Sequence, residues 1–357
     1  MRTLMRCSAA AAAVVLVALA LSACGSDDSS SSSAPDTSGA AAASISKMAI
    51  AAPEKANDYG WNQQGVESAR RAADSAGAEI EVADGIGYEN VEPVLRRLAQ
   101  SGSELTVAQA SGYNTIAPKV ATQFKVPTIV FDAPDATQPG AVADVETSSQ
   151  QGSYLAGILA AKTTKTGTLG IVISAADTNW YKMSGGFVAG ARSVDPNVKI
   201  VFAQIGQAAY ADSAGGKRVT SQVIANGADV VFGMGDGSSF GMLQAVETAK
   251  PPAGASKVYF IDVIGDKTNV DKKGVLLSSV VWDFTDIYKQ AIGEVADGTF
   301  GQKGYELTVD NGISLLRTDK APAETWDAID EAQKGVADGS IQIPLTPDKA
   351  ALDQLIG

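Results

Sequence analysis

Aromatic, acidic and amide side chains gather where an apolar segment gives way to a helical pattern. The segment "NDYGWNQQG", residues 57–65, follows the apolar run "KMAIAAP" and precedes "GVESARRAADSAG". Asn, Asp and Gly alone can form a turn, so Trp61 requires another explanation. An indole can stack on a planar molecule, while Asp58 and Asn62 can bind the N–H and C=O groups at its edge. Both residues could instead have structural roles. Trp61 could cover the hydrophobic core of the domain in which it lies, and Asp58 could cap the following helix.

The rest of the chain predicts two parallel β-sheets, one after the other in the sequence. From Lys47, strand-like segments such as "AEIEVAD" and "VPTIVFD" alternate with helical stretches of 10–15 residues, and "AVADVE" leads into a long helix at Ser148–Lys162. The alternation then restarts with "TLGIVIS", "KIVFAQI", "ADVVFGM" and "KVYFIDV", with a helix predicted to begin at Lys182. Strands that alternate with helices are typical of right-handed βαβ units. We therefore expect an α/β protein with two Rossmann-like lobes.

The domain boundaries follow from this alternation and from the composition of the N-terminal segment. The last segments, "GVLLSSVVWDFTDIYKQAIGEVADGTF", "YELTVD" and a helix at Ala323–Asp338, could join either lobe, so the chain could cross between lobes more than once. The predicted divisions are a signal peptide at 1–23, a flexible tether at 24–46, lobe 1 at 47–148 with about 280–300, and lobe 2 at 149–279 with about 301–357.

Ligands of open α/β sheets bind beyond the carboxyl ends of the strands, so the residues that follow each strand are the candidate site. Trp180 and Tyr181 could stack against the face opposite Trp61, although Trp180 could also belong to the core. Asp236, in "GDGSS", could accept ribose hydroxyls or cap a helix, and Asp262 could do the same or stabilise a turn. The strand ends also carry Asp132, Trp282, Tyr88, Asn90, Ser111, Asp177, Asn179, Gln204 and Tyr210.

Composition excludes several classes of chemistry. The 357 residues contain no histidine and two cysteines, Cys7 and Cys24, both before the predicted body. Ser-His-Asp catalysis, histidine-based zinc sites and a thiolate site in the body are therefore excluded. Asp132 and Asp135 lie in one proline-containing loop rather than on opposite sides of a substrate, as paired glycosidase carboxylates would. We expect no catalytic residues, no metal and no cofactor.

The N-terminal segment predicts export and a lipid anchor. Arg2 and Arg6 precede an apolar stretch that is short for a membrane span, and "LSAC", Leu21 to Cys24, resembles the bacterial lipobox. That resemblance implies cleavage before Cys24 and acylation of this residue. Removal of residues 1–23 leaves 26 Lys and Arg against 40 Asp and Glu, a net charge of −14. Such a surface disfavours nucleic acid and anionic lipid headgroups as partners.

Several segments, in order and spacing, resemble the basic membrane protein family of bacterial substrate-binding lipoproteins, which includes the purine nucleoside receptor A type. They are "NDYGWNQQG", "SYLAGILAA", "GGFVAGARSVDPNVKI", "GADVVFGMGDGSSFGMLQA" and "LLSSVVWDFTDIYKQAI". The resemblance implies a type I periplasmic-binding-protein fold, a hinge of several crossovers and delivery of ligand to the permease of an ABC importer. It places Asp58, Trp61 and Asn62 on the base, and Asp236 and Asp262 on the ribose.

One residue departs from the family pattern. Nucleoside-binding members carry a lysine where this chain has Trp282, and an indole cannot pair with ribose oxygens in the same way. We therefore predict a monomeric, extracytoplasmic receptor for a purine nucleoside or nucleobase. The alternatives are a receptor for another small polar ligand such as a sugar, a sensory receptor and, less favoured, a surface nucleosidase.

Overall fold

The computed structural model describes residues 44–357. The predicted signal peptide, Cys24 and nearly all of the predicted tether lie outside the described residues. In the part that is described, no helix combines the length and the apolar character needed to cross a membrane.

The first lobe is built on a six-stranded sheet with the order β2-β1-β3-β4-β5-β11. Its central strands are apolar on both faces, because helices cover both sides of a parallel sheet. The edge strand β2 is only partly buried, which agrees with its alternating charges. The strands are β1 (Lys47–Ala52), β2 (Glu79–Asp84), β3 (Leu105–Ala108), β4 (Thr128–Phe131), β5 (Val142–Thr147) and β11 (Tyr305–Leu307).

The second lobe repeats this order as β7-β6-β8-β9-β10-β12. All neighbouring strands are parallel except β12, which runs antiparallel to β10. The repeated order confirms the prediction of two Rossmann-like lobes. The strands are β6 (Thr168–Ile173), β7 (Lys199–Gln204), β8 (Val230–Met234), β9 (Tyr259–Ile264), β10 (Leu276–Trp282) and β12 (Ile313–Leu315).

Ten α-helices flank the two sheets within residues 44–357. They are α1 (Trp61–Ala76), α2 (Val91–Gln100), α3 (Ala117–Phe124), α4 (Ser149–Thr163), α5 (Thr178–Val194), α6 (Ser213–Ala225), α7 (Ser238–Thr248), α8 (Thr285–Asp297), α9 (Ala323–Ala337) and α10 (Lys349–Ile356). Helix α5 begins four residues before the predicted start at Lys182, because Asp177 caps its first backbone N–H groups.

The chain crosses between the lobes three times in the described region. It enters lobe 2 after β5, returns to lobe 1 through α8, which packs on α1, and crosses again between β11 and β12. The prediction that residues 301–357 join lobe 2 differs from the structure at β11, since this strand pairs with β5 of lobe 1. Its three residues are too few for the sequence to indicate which sheet edge they extend.

The glycines of "SYLAGILAA" and "GGFVAGAR" allow α4 and α5 to pack closely. A Cβ on Gly157 would lie 2.1 Å from the Phe187 carbonyl oxygen, and one on Gly190 would lie 1.9 Å from the Tyr154 carbonyl oxygen. Any side chain at either position would force the two helix backbones apart. These two segments therefore have a structural role, which is to hold the first helix pair of lobe 2 together.

Candidate functional site

A cavity of about 450 Å³ lies between the carboxyl ends of the two sheets. Every strand from β1 to β4 and from β6 to β10 is followed or ended by a residue that lines it, as the rule for open α/β sheets requires. Its volume falls in the range of small-molecule sites. The lining residues are Trp61, Tyr88, Ala110, Ser111, Asp132, Asp177, Asn179, Trp180, Ala208, Tyr210, Asp236, Ile264 and Trp282.

Trp61 is the first residue of α1 and forms part of the lobe 1 wall. Its Nε1 donates a hydrogen bond of 2.8 Å to the Gln109 carbonyl oxygen. Behind it, the rings of Phe131 and Phe284 meet the indole edge-to-face at centroid distances of 5.0 and 5.5 Å. The indole is thus held in one orientation while staying partly accessible from the cavity.

Two further tryptophans, Trp180 and Trp282, form part of the cavity wall. Trp180 of lobe 2 is buried, and its Nε1 donates to the Ser174 hydroxyl at 3.1 Å. Trp282, the last residue of β10, is also buried and meets Trp61 edge-to-face at 6.2 Å. The predicted alternative stacker Tyr181 does not line the cavity, because α5 directs its hydroxyl to Gln204 Oε1 at 3.2 Å.

Asp132 and Asp236 bring carboxylates to the cavity from opposite lobes. Desolvation by the surrounding protein raises the pKa of the Asp132 carboxyl to about 6. The Asn179 side chain, which donates a hydrogen bond to this carboxyl at 3.3 Å, opposes the rise. Burial raises the pKa of the Asp236 carboxyl to about 7, and the neighbouring Asp58 adds to this rise while Lys267 opposes it. Burial thus raises the pKa of both carboxyls well above the usual value for an aspartate.

A third carboxylate, Asp177, is held by the protein itself. It accepts hydrogen bonds from the backbone N–H groups of Asn179 at 2.8 Å and Trp180 at 3.4 Å, and so caps α5. The Tyr210 hydroxyl donates to its other oxygen at 2.9 Å. Asp177 therefore fixes two groups of the cavity wall, the α5 N-terminus and the Tyr210 ring.

Asp58 and Asn62 differ from the prediction that they bind the edge of a ligand. The Asp58 carboxylate accepts from the backbone N–H groups of Gly60, Asn62 and Gln63, at 3.0 to 3.1 Å, and from Asn62 Nδ2 at 2.7 Å. Asn62 is buried, and its side-chain oxygen accepts from the Glu54 backbone N–H. Neither residue lines the cavity. The Asp58 side chain instead satisfies otherwise unpaired N–H groups at the start of α1, and the Asn62 side chain joins Asp58 to the Glu54 backbone.

Asp262 also lies elsewhere than predicted. Strand β9 continues to Ile264, so Asp262 lies within the strand, is fully buried and does not line the cavity. Lys267 Nζ lies 2.5 Å from its carboxylate, and the Ser239 hydroxyl donates to it at 3.0 Å. The residue that reaches the cavity is Ile264, whose φ of 68° is strained for a β-branched residue.

Contacts across the cleft join the two lobes around the cavity. Lys267 Nζ of lobe 2 donates to the Tyr59 carbonyl oxygen of lobe 1 at 2.9 Å. The Tyr59 ring meets Phe240 of lobe 2 edge-to-face at 6.2 Å. The Asn179–Asp132 hydrogen bond makes a third link. The structure therefore represents a conformation in which the lobes already touch on more than one side of the cavity.

Five of the nine predicted ligand residues line the cavity: Trp61, Asp132, Trp180, Asp236 and Trp282. The polar wall residues not chosen as ligand residues, although all of them follow strand ends, are Tyr88, Ser111, Asp177, Asn179 and Tyr210. Position after a strand selects all five of these residues, but it also selects Asp58 and Asn62, whose side chains bind other groups of the protein. Within residues 44–357, no group of three or more acidic side chains is placed to hold a metal ion.

The two lobes and the cleft between them define the type I periplasmic-binding-protein fold. Two solved structures share this fold: an ABC transporter system solute-binding protein from Conexibacter woesei DSM 14684 and ABC transporter system solute-binding proteins from Aeropyrum pernix K1. The first has a TM-score of 0.71 at 21% identity and covers 85% of this chain and 100% of its own. The second has a TM-score of 0.71 at 18% identity and covers 87% and 96%. At these identities the likeness shows the fold alone.

The family model described as "Bmp: ABC transporter substrate-binding protein PnrA-like" matches residues 45–332. The chain belongs to this family, whose members are substrate-binding proteins of ABC transporters. It is 29% identical, over 55% of its length, to the ABC transporter nucleoside-binding protein BmpA of Lactococcus lactis subsp. cremoris. It is 25% identical, over 58%, to a CD4+ T-cell-stimulating antigen of Listeria monocytogenes. The matches span 58% and 60% of these relatives' own lengths.

Proposed function

We propose that this protein is the extracytoplasmic, lipid-anchored receptor of an ABC importer and binds a purine nucleoside or nucleobase between its lobes. Family membership supports the transport role, and similarity to the nucleoside-binding protein of Lactococcus lactis supports a nucleoside-type ligand. Cys24 is the proposed lipid anchor, and a membrane permease is the proposed partner.

The observation that carries the proposal is the fixed indole of Trp61 on the wall of an aromatic cavity. Its N–H is occupied by the Gln109 carbonyl, so the ring offers a ligand its π surface rather than a hydrogen bond. A base stacked on an aromatic side chain gains on the order of 1–3 kcal/mol. Trp180 lies on the opposite lobe, where its N–H is also occupied, by Ser174. Two such aromatic walls can accommodate a planar molecule between them.

The polar wall groups suit the edges of a purine and a sugar. Asn179 can donate and accept, the Ser111 hydroxyl can do both, and Asp132 and Asp236 can accept N–H or O–H groups. Asp262 takes no part in this proposal, because Lys267 and Ser239 already bind its carboxylate away from the cavity. Trp282 presents an apolar surface, so nucleosides and free nucleobases both remain within the proposed ligand class.

We further propose that the protein binds this ligand without converting it. Among the described residues that line the cavity, the Ser111 hydroxyl has no carboxylate partner, and the Tyr210 hydroxyl is bonded to Asp177, which is itself fixed as the cap of α5. Incubation with a nucleoside, followed by chromatography, should return the nucleoside intact. Release of free base would instead support the nucleosidase alternative.

Calorimetric titration of the purified protein with purine nucleosides, free purine bases and neutral sugars tests the proposal. We expect saturable one-to-one binding of a purine compound and no heat from the sugars. The matched control for loss of the Trp61 ring is Phe124→Ala. This variant removes a partly buried aromatic ring of the same lobe, away from the cavity. Sugar binding without purine binding would refute the proposed ligand class.

A further inference from the structure

The walls of the cavity carry acidic side chains that no basic wall residue balances. Asp132, Asp177 and Asp236 line it, and among the described residues no lysine or arginine does. An anionic ligand would have to enter without a cationic partner and next to three carboxyl groups. A ligand with a positive charge would meet opposite charges instead, in a setting that is only partly hydrated.

Charged groups behind the walls do not reverse this balance. Lys267 faces Asp236, but its ammonium group already forms the buried ion pair with Asp262. Lys182 acts on Asp132, where Asp177 and Glu146 add negative charge. The remaining acidic neighbours are Asp58, beside Asp236, Asp144, near Asp132, and Glu54, near Tyr88.

The aromatic walls favour the same sign of charge. Five aromatic rings line the cavity, and they belong to Trp61, Tyr88, Trp180, Tyr210 and Trp282. The N–H groups of Trp61 and Trp180 and the Tyr210 hydroxyl are already bonded to protein acceptors. These three rings therefore offer a ligand the electron-rich π system, which attracts cations and is strongest for indole.

We propose that the cavity selects a planar heterocycle that carries a positive charge, and that among purine nucleosides it prefers N-methylated, cationic ones over neutral isomers. This inference rests on the proposed function, which supplies the purine. It also predicts that nucleotides are rejected, because a phosphate would meet the three carboxyl groups.

Pairs of nucleosides that carry the same methyl group at different positions, and differ in charge by one bound proton, test the inference. 1-Methyladenosine is cationic at neutral pH, whereas N6-methyladenosine is neutral. In the second pair the methyl group is at other positions: 7-methylguanosine carries the positively charged ring, and 1-methylguanosine is its neutral counterpart. Calorimetry should show at least about tenfold tighter binding of the cationic member of each pair. The preference should decrease as the salt concentration rises. Adenosine 5′-monophosphate should bind more weakly than adenosine.

Variants separate the charge effect from the fit of the methyl group. Asp236→Asn and Asp132→Asn should reduce the affinity for cationic isomers more than that for neutral ones, so the ratio should fall severalfold. Asp135→Asn is the matched control, because Asp135 lies in the same loop as Asp132, is exposed and does not line the cavity. It should leave the ratio unchanged.

The outcomes distinguish this inference from the proposed function. If neutral nucleosides bind and their cationic isomers bind equally or more weakly, the charge preference is wrong and the proposed function stands. A ratio that Asp236→Asn and Asp132→Asn leave unchanged would likewise refute the charge mechanism. If no purine compound binds, the proposed function and the preference fail together.

Discussion

Replacement of Trp61 by alanine separates the proposed stacking role from a purely structural one. The variant removes a ring that contacts Phe131, Trp282 and Phe284 on one side and the cavity on the other. Loss of a stacked base should cost about 1.5–3 kcal/mol of binding free energy, which is about 10- to 150-fold in Kd. Only part of the indole is buried, so we expect the protein to stay folded with reduced stability.

The assay combines calorimetry with thermal unfolding of the same preparations. Trp61→Phe provides a graded control, because it retains a stacking ring but loses the hydrogen bond to the Gln109 carbonyl. Its affinity should lie between those of the wild type and Trp61→Ala. A folded Trp61→Ala protein with wild-type affinity would show that the indole serves only the core of its lobe.

Three further predictions concern other parts of the molecule. The pKa of Asp236 is raised in the fold from 3.8 to about 7, so its ionisation opposes folding as pH rises through this window. Urea unfolding should therefore show Asp236→Asn more stable than wild type by about 2 kcal/mol at mildly alkaline pH, allowing for partial access to water, with the difference vanishing near pH 4. A constant difference would contradict this pKa. Lys267→Met leaves the buried Asp262 carboxyl without its cationic partner, and should cost about 3–5 kcal/mol of unfolding free energy. The Asp262→Asn/Lys267→Met double variant should recover part of this loss, and no recovery would argue against the ion pair. Cys24→Ser in the full chain should move the protein from the membrane fraction to the soluble fraction after cell disruption, and continued membrane association would exclude Cys24 as the anchor.

The fold was predictable because its signals are local and repeated. Apolar strands such as β1 and β6 alternate with amphipathic helices along the chain. This repeated alternation of strand and helix indicates a parallel sheet. The short strand β12 and the final helix α10 were not predicted. Three residues are too few to show a period, and α10 buries a single side chain, Leu352.

The site was predictable only in part, because the same side chain can serve a turn or a ligand. Asp58 has the spacing of an edge-binding acid, yet the same spacing lets it reach the backbone N–H of Gly60 and two backbone N–H groups of α1. Asp262 resembles a strand-end acid, but β9 runs two residues further and Lys267 folds back onto it. Partners such as Lys267 and Tyr59 come from opposite lobes, and no local pattern predicts their contact.

The most direct test of the central claim is a crystal structure of the protein with its ligand bound. We predict a planar ring in the cavity between the lobes, in stacking contact with the Trp61 indole. An occupied cavity with the Trp61 ring turned inward, away from the ligand, would contradict the account.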